Sequence, residues 1–256
     1  MNIDKRRHYV LVLDTETANT IQEEGKMDMT NVLFYDCGWA VADIHGTIYR
    51  KRSYVNSDIF LYEQELMKSA YYADKISKYN EDIKNGKRIM ANLYTIRQAM
   101  LQDIADFEIT EAVAHNARFD VNALNVTQRY ITKSKYRYFL PYGMEIWDTM
   151  GMAKDVICQM PTYKQFCIDN GYMTKNNQVK KTAEILYRFI SHNNDFEESH
   201  TGLEDVEIEV KILAYCYRQH KPMPHKVLYE RKESSNFPTL YYWLNDFPIE
   251  KILCKK

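Results

Sequence analysis

A chain of 256 residues with 45% hydrophobic and 27% charged side chains has an ordinary globular composition and enough length for one large domain or two small ones. No apolar run approaches the roughly 20 residues of a membrane span, and the apolar stretch in "MNIDKRRHYVLVLD" is too brief for a signal peptide, so a cytoplasmic location without membrane contact is expected. A net charge of −1 supplies no global basic field, so a nucleic-acid partner would need local patches or bound cations to neutralise it.

Tyr9 to Leu13 is a short apolar run followed by polar residues, which predicts a buried strand. Residues i and i+2 of a strand share a face, with Cα atoms about 7 Å apart. In "YVLVLDTETAN" (9–19), Asp14 and Glu16 therefore point the same way at the edge of a core. Two like charges held there are costly without a counter-charge. The alternative is that the strand has ended and both side chains sit in water.

Residues 32–43 and 46–56 predict two further strands around a tight turn at Ile44–Gly46, giving an antiparallel three-strand opening. From 58 to 110 the apolar spacing is near 3.6, as in "FLYEQELMKSAYYADKI" and "LYTIRQAMLQDIADF". "EAVAHN" (111–116) predicts a short strand ending in a polar turn, followed by a helix over about 117–131. Helices are expected near 149–157 and 162–170 and in "KKTAEILYRFISHN" (180–193) and "LEDVEIEVKILAYCYRQ" (203–219). The stretch from Lys221 on is proline-rich and aperiodic, and is expected to pack on the surface. Strands first, then strands alternating with helices, imply a mixed sheet with helices on its faces. The five cysteines, Cys37, Cys158, Cys167, Cys216 and Cys254, have neither CxxC nor zinc-site spacing and read as apolar residues.

Two more acidic positions stand at predicted helix starts. In "AHNARFDVNALN" (114–125), Asn116 is a suitable N-cap, which places Asp120 in the first turn. In "SHTGLEDVEIEVKILAYC" (199–216), Thr201 and Glu204 fit a capping box, which leaves His200 in the loop and puts Asp205 in the first turn. Each acid alone is explained as a charge complementing the helix dipole.

Taken in order, "LDTET" (13–17), "HNARFD" (115–120) and "HTGLED" (200–205), with "WDTM" (147–150) between the last two, resemble the DEDD superfamily of 3′–5′ exonucleases, histidine branch. The resemblance spans roughly residues 8–217. It covers the proofreading subunits of bacterial polymerases and, through the Lys-, Asn- and Tyr-rich composition, stand-alone phage and prophage exonucleases, for which the location would be the host cytoplasm. It implies an α/β, ribonuclease H-like fold: a five-stranded mixed sheet flanked by helices. The domain would be residues 1–218, with a helical insertion around 58–90 lengthening the interval from Glu16 to Asp120. Residues 219–256 have no family counterpart and are expected to pack on the surface or dock a partner.

The resemblance also implies the chemistry. Asp14, Glu16, Asp120 and Asp205 would bind two divalent ions, Mg²⁺ or Mn²⁺, and four carboxylates balance two dications. Asp14 would bridge both ions, Glu16 and Asp205 would hold the nucleophile-side ion, and Asp120 would act largely through water. His200 would take the proton from the attacking water. The substrate would be a single-stranded 3′ end, DNA favoured over RNA, with Thr15, Thr17 and Asn116 near the terminal nucleotide. Lys133, Lys135 and Arg137 in "QRYITKSKYRYF" (128–139) are candidates to track phosphates, and "KNNQVKK" (175–181) is a weaker one. A solvated helix end and loop explains the first run equally well, and the second run better. An exoribonuclease of the same fold and a non-catalytic binding module on it remain alternatives, and a polymerase docked through residues 219–256 is a further possible partner.

Overall fold

The structure, a computed structural model, describes residues 3–18, 31–70, 73–134 and 138–223. Strands β1 (Tyr9–Ala18), β2 (Leu33–Asp43) and β3 (Ile48–Asn56) form the expected antiparallel opening. Strand β1 runs past Leu13 through both acids to Ala18. The β2–β3 turn closes on Gly46 at φ +90°, and Asp43 Oδ1 accepts the N–H groups of His45 and Thr47, each at 3.0 Å.

Helices α1 (Ser57–Phe60), α2 (Gln64–Met67) and α3 (Ile76–Lys84), with a 3₁₀ turn at Ala73–Lys75, occupy much of the segment expected to be helical. That segment also contains strand β4 (Ile89–Ala91), which pairs parallel with β3 and makes a sheet of six strands where five were expected. Three residues are too few for a period to register, and the strand exists because an edge is there to pair with. Helix α4 (Leu93–Asp106), β5 (Glu111–Ala114), α5 (Arg118–Thr132), α6 (Thr149–Asp155), α7 (Pro161–Asp169), α8 (Ala183–Ser191) and α9 (Gly202–Arg218) follow near their expected bounds, with strand β6 (Glu145–Asp148) between α5 and α6. The sheet order is β4-β3-β2-β1-β5-β6, with β1, β5 and β6 mutually parallel.

Alternation along β1 builds both sides of the molecule. Leu11 and Leu13 pack with Trp39 of β2, Ile96 and Met100 of α4, and Leu124 of α5. Val10 and Val12 face the other way, with Val206, Val210 and Leu213 of α9 and Leu186 of α8. A third cluster, including Tyr35, Ile59, Tyr79 and Val126, lies under α1 and α3. Continued alternation sends Asp14 and Glu16 to the α9 face and Thr15 and Thr17 to the α4–α5 face. A bulge follows at once: Glu16 pairs with Asp36, but Thr17 pairs with Phe34. Bulges of this kind bend a strand beside a functional site.

Among the described cysteines, Cys37, Cys167 and Cys216 are buried and unbridged, as an apolar role requires. No helix among the described residues is long and apolar enough to cross a membrane. Residues 224–256, and with them Cys254 and most of the extension, lie outside the described residues.

Candidate active site

Helix α9 meets β2 at two glycines. A Cβ on Gly38, the β2 partner of Asp14, would lie 2.3 Å from the Gly202 carbonyl carbon, and one on Gly202 would lie 2.7 Å from Gly38 N. The Gly202 N–H donates to Asp36 Oδ2 at 3.0 Å. This approach delivers the first turn of α9 to the acidic end of β1. Ligand atoms of Asp14, Glu16 and Asp205 consequently all lie within 4.8 Å of one another. Asp205 also belongs to a second group within the same limit, formed with Glu198 and His200.

The expected capping box takes another form. Thr201 is the N-cap, but its side chain caps no N–H; its hydroxyl donates to Glu204 Oε2 at 2.6 Å. The Thr201 N–H donates instead to Asp205 Oδ2 at 2.9 Å, so the acid one position beyond Glu204 receives the cap. That bond orients Asp205 and leaves its buried Oδ1 without a partner. His200 precedes the helix at φ +50°, in the left-handed region, which marks a constrained turn.

Asp120 arrives from the opposite face. Its Oδ1 accepts both the N–H of Thr15 at 3.0 Å and the Thr15 hydroxyl at 2.8 Å, which ties the first turn of α5 to β1 between the two acids. Asp120 is therefore adjacent to the Asp14–Glu16–Asp205 group but outside it. Asn116 is not the N-cap; Ala117 takes that place, and Asn116 adopts φ +65°. Asparagine tolerates that conformation, and here it lets the Asn116 N–H reach Asp148 Oδ1 at 2.9 Å. The carboxyl ends of parallel strands β1, β5 and β6 thus converge on one crevice, where ligands bind in open α/β sheets.

Burial, followed by Asp120 and Glu209, drives the Asp14 pKa well above the ordinary carboxylate range. Burial, then Asp205 and Asp36, does the same to Glu16. Burial pushes Asp120 to about 7 against the Thr15 hydrogen bonds, and burial plus Glu198 pushes Asp205 to about 8. His200 is lowered by burial and then by Lys75, and the Glu198 carboxylate stands 3.8 Å from its Nδ1.

Four residues around this site escaped the sequence analysis. Glu209, 2% exposed, accepts the His115 N–H at 2.9 Å and has an orphaned Oε2. Its position four residues after Asp205, on the same helical face, was a legible signal. Asp36 was another, as a lone acid inside "VLFYDCGWAV". Its Oδ2 accepts from Tyr79 at 2.7 Å and Arg88 at 3.1 Å, and Arg88 also donates to Glu204 at 2.9 Å. Lys75 adds a hydrogen bond to the Ser199 carbonyl, so the 75–88 segment is tied to the start of α9. Glu198 and Arg88 sit in polar stretches with no distinguishing pattern.

The proposed substrate contacts are dispersed. Thr15 and Thr17 are buried, Asn116 is exposed in the crevice, and Lys133 lies beyond the far end of α5 with its Nζ 4.4 Å from the Tyr130 ring centroid. Lys135 and Arg137 lie outside the described residues.

No protein-family model matches the sequence, and no curated protein matches it. Among solved structures, the chain is similar to the nuclease domain of 3′hExo, a DEDDh family member, bound to rAMP: TM-score 0.53 and 10% identity, over 88% of this chain and 100% of that one. It is also similar to a moderately thermophilic Exonuclease I from Methylocaldum szegediense, with TM-score 0.53 and 13% identity, over 84% of this chain and 41% of that one. At such identities the likeness is one of fold, and the six-stranded mixed sheet flanked by helices is the ribonuclease H-like fold of these exonuclease domains.

Proposed function

We propose that the chain is a metal-dependent 3′–5′ exonuclease of the DEDD superfamily, histidine branch, hydrolysing phosphodiester bonds from the 3′ end of single-stranded DNA. The observation that carries this is the convergence of Asp14, Glu16 and Asp205 within 4.8 Å, with His200 and Glu198 grouped on the same Asp205. An all-carboxylate set of hard oxygens suits Mg²⁺ or Mn²⁺ better than zinc. The orphaned Asp205 Oδ1 and Glu209 Oε2 are buried acceptors of the kind a cation satisfies. Asp14, Glu16 and Asp205 would hold the ions, and Asp120, fixed by Thr15, would act beside them.

Bound divalent ions supply charge neutralisation at the phosphate and ease the deprotonation of water. His200, held below its ordinary pKa, is neutral near pH 7 and accepts the proton of the attacking water at a ring nitrogen. Glu198 then faces the imidazolium that results.

Purified protein with Mg²⁺ should release a 3′ label from a DNA oligonucleotide at once and shorten a 5′-labelled one stepwise. EDTA should stop both, and Ca²⁺ should support binding with little turnover. Full activity in EDTA, a requirement for zinc alone, or prior release of the 5′ label would sink the proposal. Faster RNA degradation would move the substrate to RNA.

Residues 219–256 are proposed to dock a partner such as a polymerase, because all the site residues precede them. A chain ending at Arg218 should then stay soluble, melt cooperatively and degrade a short oligonucleotide. Insolubility would instead assign Phe237, Leu240, Tyr241, Trp243 and Phe247 to the core, each worth about 1.5–3 kcal/mol when fully buried.

A further inference from the structure

A cleft of about 1140 Å³ opens from Asp14, Glu198 and Glu209 and runs between the α6–α7 connection and the segment 173–183. Its lining holds both signs of charge: those three carboxylates and the four lysines Lys154, Lys164, Lys180 and Lys181. Lys154, Lys164 and Lys180 are exposed and Lys181 is half-buried, and none of the four has an ion-pair partner among the described residues. Away from the cleft, Lys51, Lys68 and Lys87 pair with Glu207, Glu65 and Asp82.

The backbone under two of these lysines is fixed. Tyr163 donates to the Lys180 carbonyl at 2.7 Å, His115 Nε2 lies 2.8 Å from the Lys181 carbonyl, and the Lys180 N–H donates to Tyr172 at 3.0 Å. An antiparallel bridge between Met173 and Val179 closes the hairpin leading to them. The cationic heads are thus free to meet a ligand while their stems leave from a rigid support. Met150, Met160 and Met173 also line the cleft, and among the described residues no Phe, Tyr or Trp does. Thioethers adapt to varied shapes, which favours no particular base. The volume exceeds the roughly 300–1,000 Å³ of small-molecule sites.

We propose, on the basis of the exonuclease reading above, that Lys154, Lys164, Lys180 and Lys181 bind the backbone phosphates of the strand upstream of its 3′ end. The strand leaves the carboxylates over the α6–α7 connection and the 173–183 segment. This path leads away from Lys133, which lies about 18–20 Å along α5 from Asp120 at 1.5 Å per residue. Recognition is through phosphates and is therefore tolerant of sequence and sensitive to salt.

The test is fluorescence anisotropy of the full chain with a labelled oligothymidylate in Ca²⁺, across a salt series. Each phosphate contact on a single strand contributes about −0.7 to the slope of log K against log salt. Changing the four lysines together to Gln should flatten the slope by up to about 2.8 and weaken binding at least about tenfold at 100 mM salt. Hydrolysis of a p-nitrophenyl ester of thymidine 5′-monophosphate, which occupies the terminal position alone, should not change. Wild-type slope and affinity in the fourfold variant would overturn the path. So would a larger loss on changing Lys133, Lys135 and Arg137 to Gln, or a fall in ester turnover. A wild-type chain that binds with the expected slope in Ca²⁺ yet cleaves neither substrate in Mg²⁺ keeps the path and sinks the exonuclease reading.

Discussion

An Asp14→Asn or Asp205→Asn protein is expected to lose hydrolysis of a 3′-labelled oligonucleotide by well over 100-fold while keeping a cooperative melt. Changing a residue that only holds a metal ligand typically costs about 10–100-fold. Removing the charge of a proposed ligand should exceed that range, because Asp14 and Asp205 lie with Glu16 in a single carboxylate group. Thr15→Val provides the graded comparison. It deletes the hydroxyl donated to Asp120 at 2.8 Å but keeps the backbone N–H at 3.0 Å, so the loss should fall within about 10–100-fold. Single-turnover rates, with melting curves on the same samples, measure both. Asn variants within tenfold of wild type would remove the metal role from these carboxylates.

The parts of this site that were legible in the sequence are those fixed by local periodicity. A two-residue repeat in β1 places Asp14 and Glu16 on one face, and a capping pattern places Asp205 on an opening helical turn. Local pattern fails where a partner from elsewhere decides the geometry. Asn116 has the chemistry of an N-cap, yet the Asp148 carboxylate recruits its N–H and turns its backbone left-handed. Thr201 and Glu204 have the capping-box spacing, yet Arg88 occupies Glu204 and Asp205 receives the Thr201 N–H instead. Strand β4 exists only because β3 offers an edge. Arg88, 4% exposed, is a polar residue in a polar stretch until Asp36, Asp82 and Glu204 surround it. A buried charge of this kind is held by the fold it helps to order, and no single stretch of sequence contains its partners.

Metal-free protein is expected to melt at progressively lower temperature as pH rises from about 4 to about 8, and Mg²⁺ should reverse that trend. In the folded protein Asp120 and Glu198 titrate at about 7 and Asp205 at about 8, while Asp14, Glu16 and Glu209 are also raised, with burial the largest cause throughout. In the unfolded chain the same groups titrate near about 4. Between those values the folded state binds more protons than the unfolded state, so stability falls as pH rises and levels off above the folded pKa values. His115 and His200, lowered chiefly by burial, act the other way as pH rises to about 6.5, but they are two groups against six. Asp43 and Asp103 do not mask the trend either. Both are lowered despite burial, Asp43 by hydrogen bonds from Thr47 and Tyr49 and Asp103 by Arg52 and Arg50, so their contribution is lost only as pH falls below about 4. Asp205→Asn removes one ionisable member, and in EDTA at pH 8 it should gain about 1–2 kcal/mol, or roughly 2–8 °C. Mg²⁺ at 100 times its Kd should add about 2.7 kcal/mol to the wild type at pH 8. It should add less at pH 5.5, where protons compete, and less to the variant. Calorimetry in EDTA and in Mg²⁺ at both pH values measures all of these. An Asp205→Asn protein that melts lower than wild type in EDTA at pH 8 would make that carboxylate a structural acceptor for the Thr201 N–H and remove its claim to a cation.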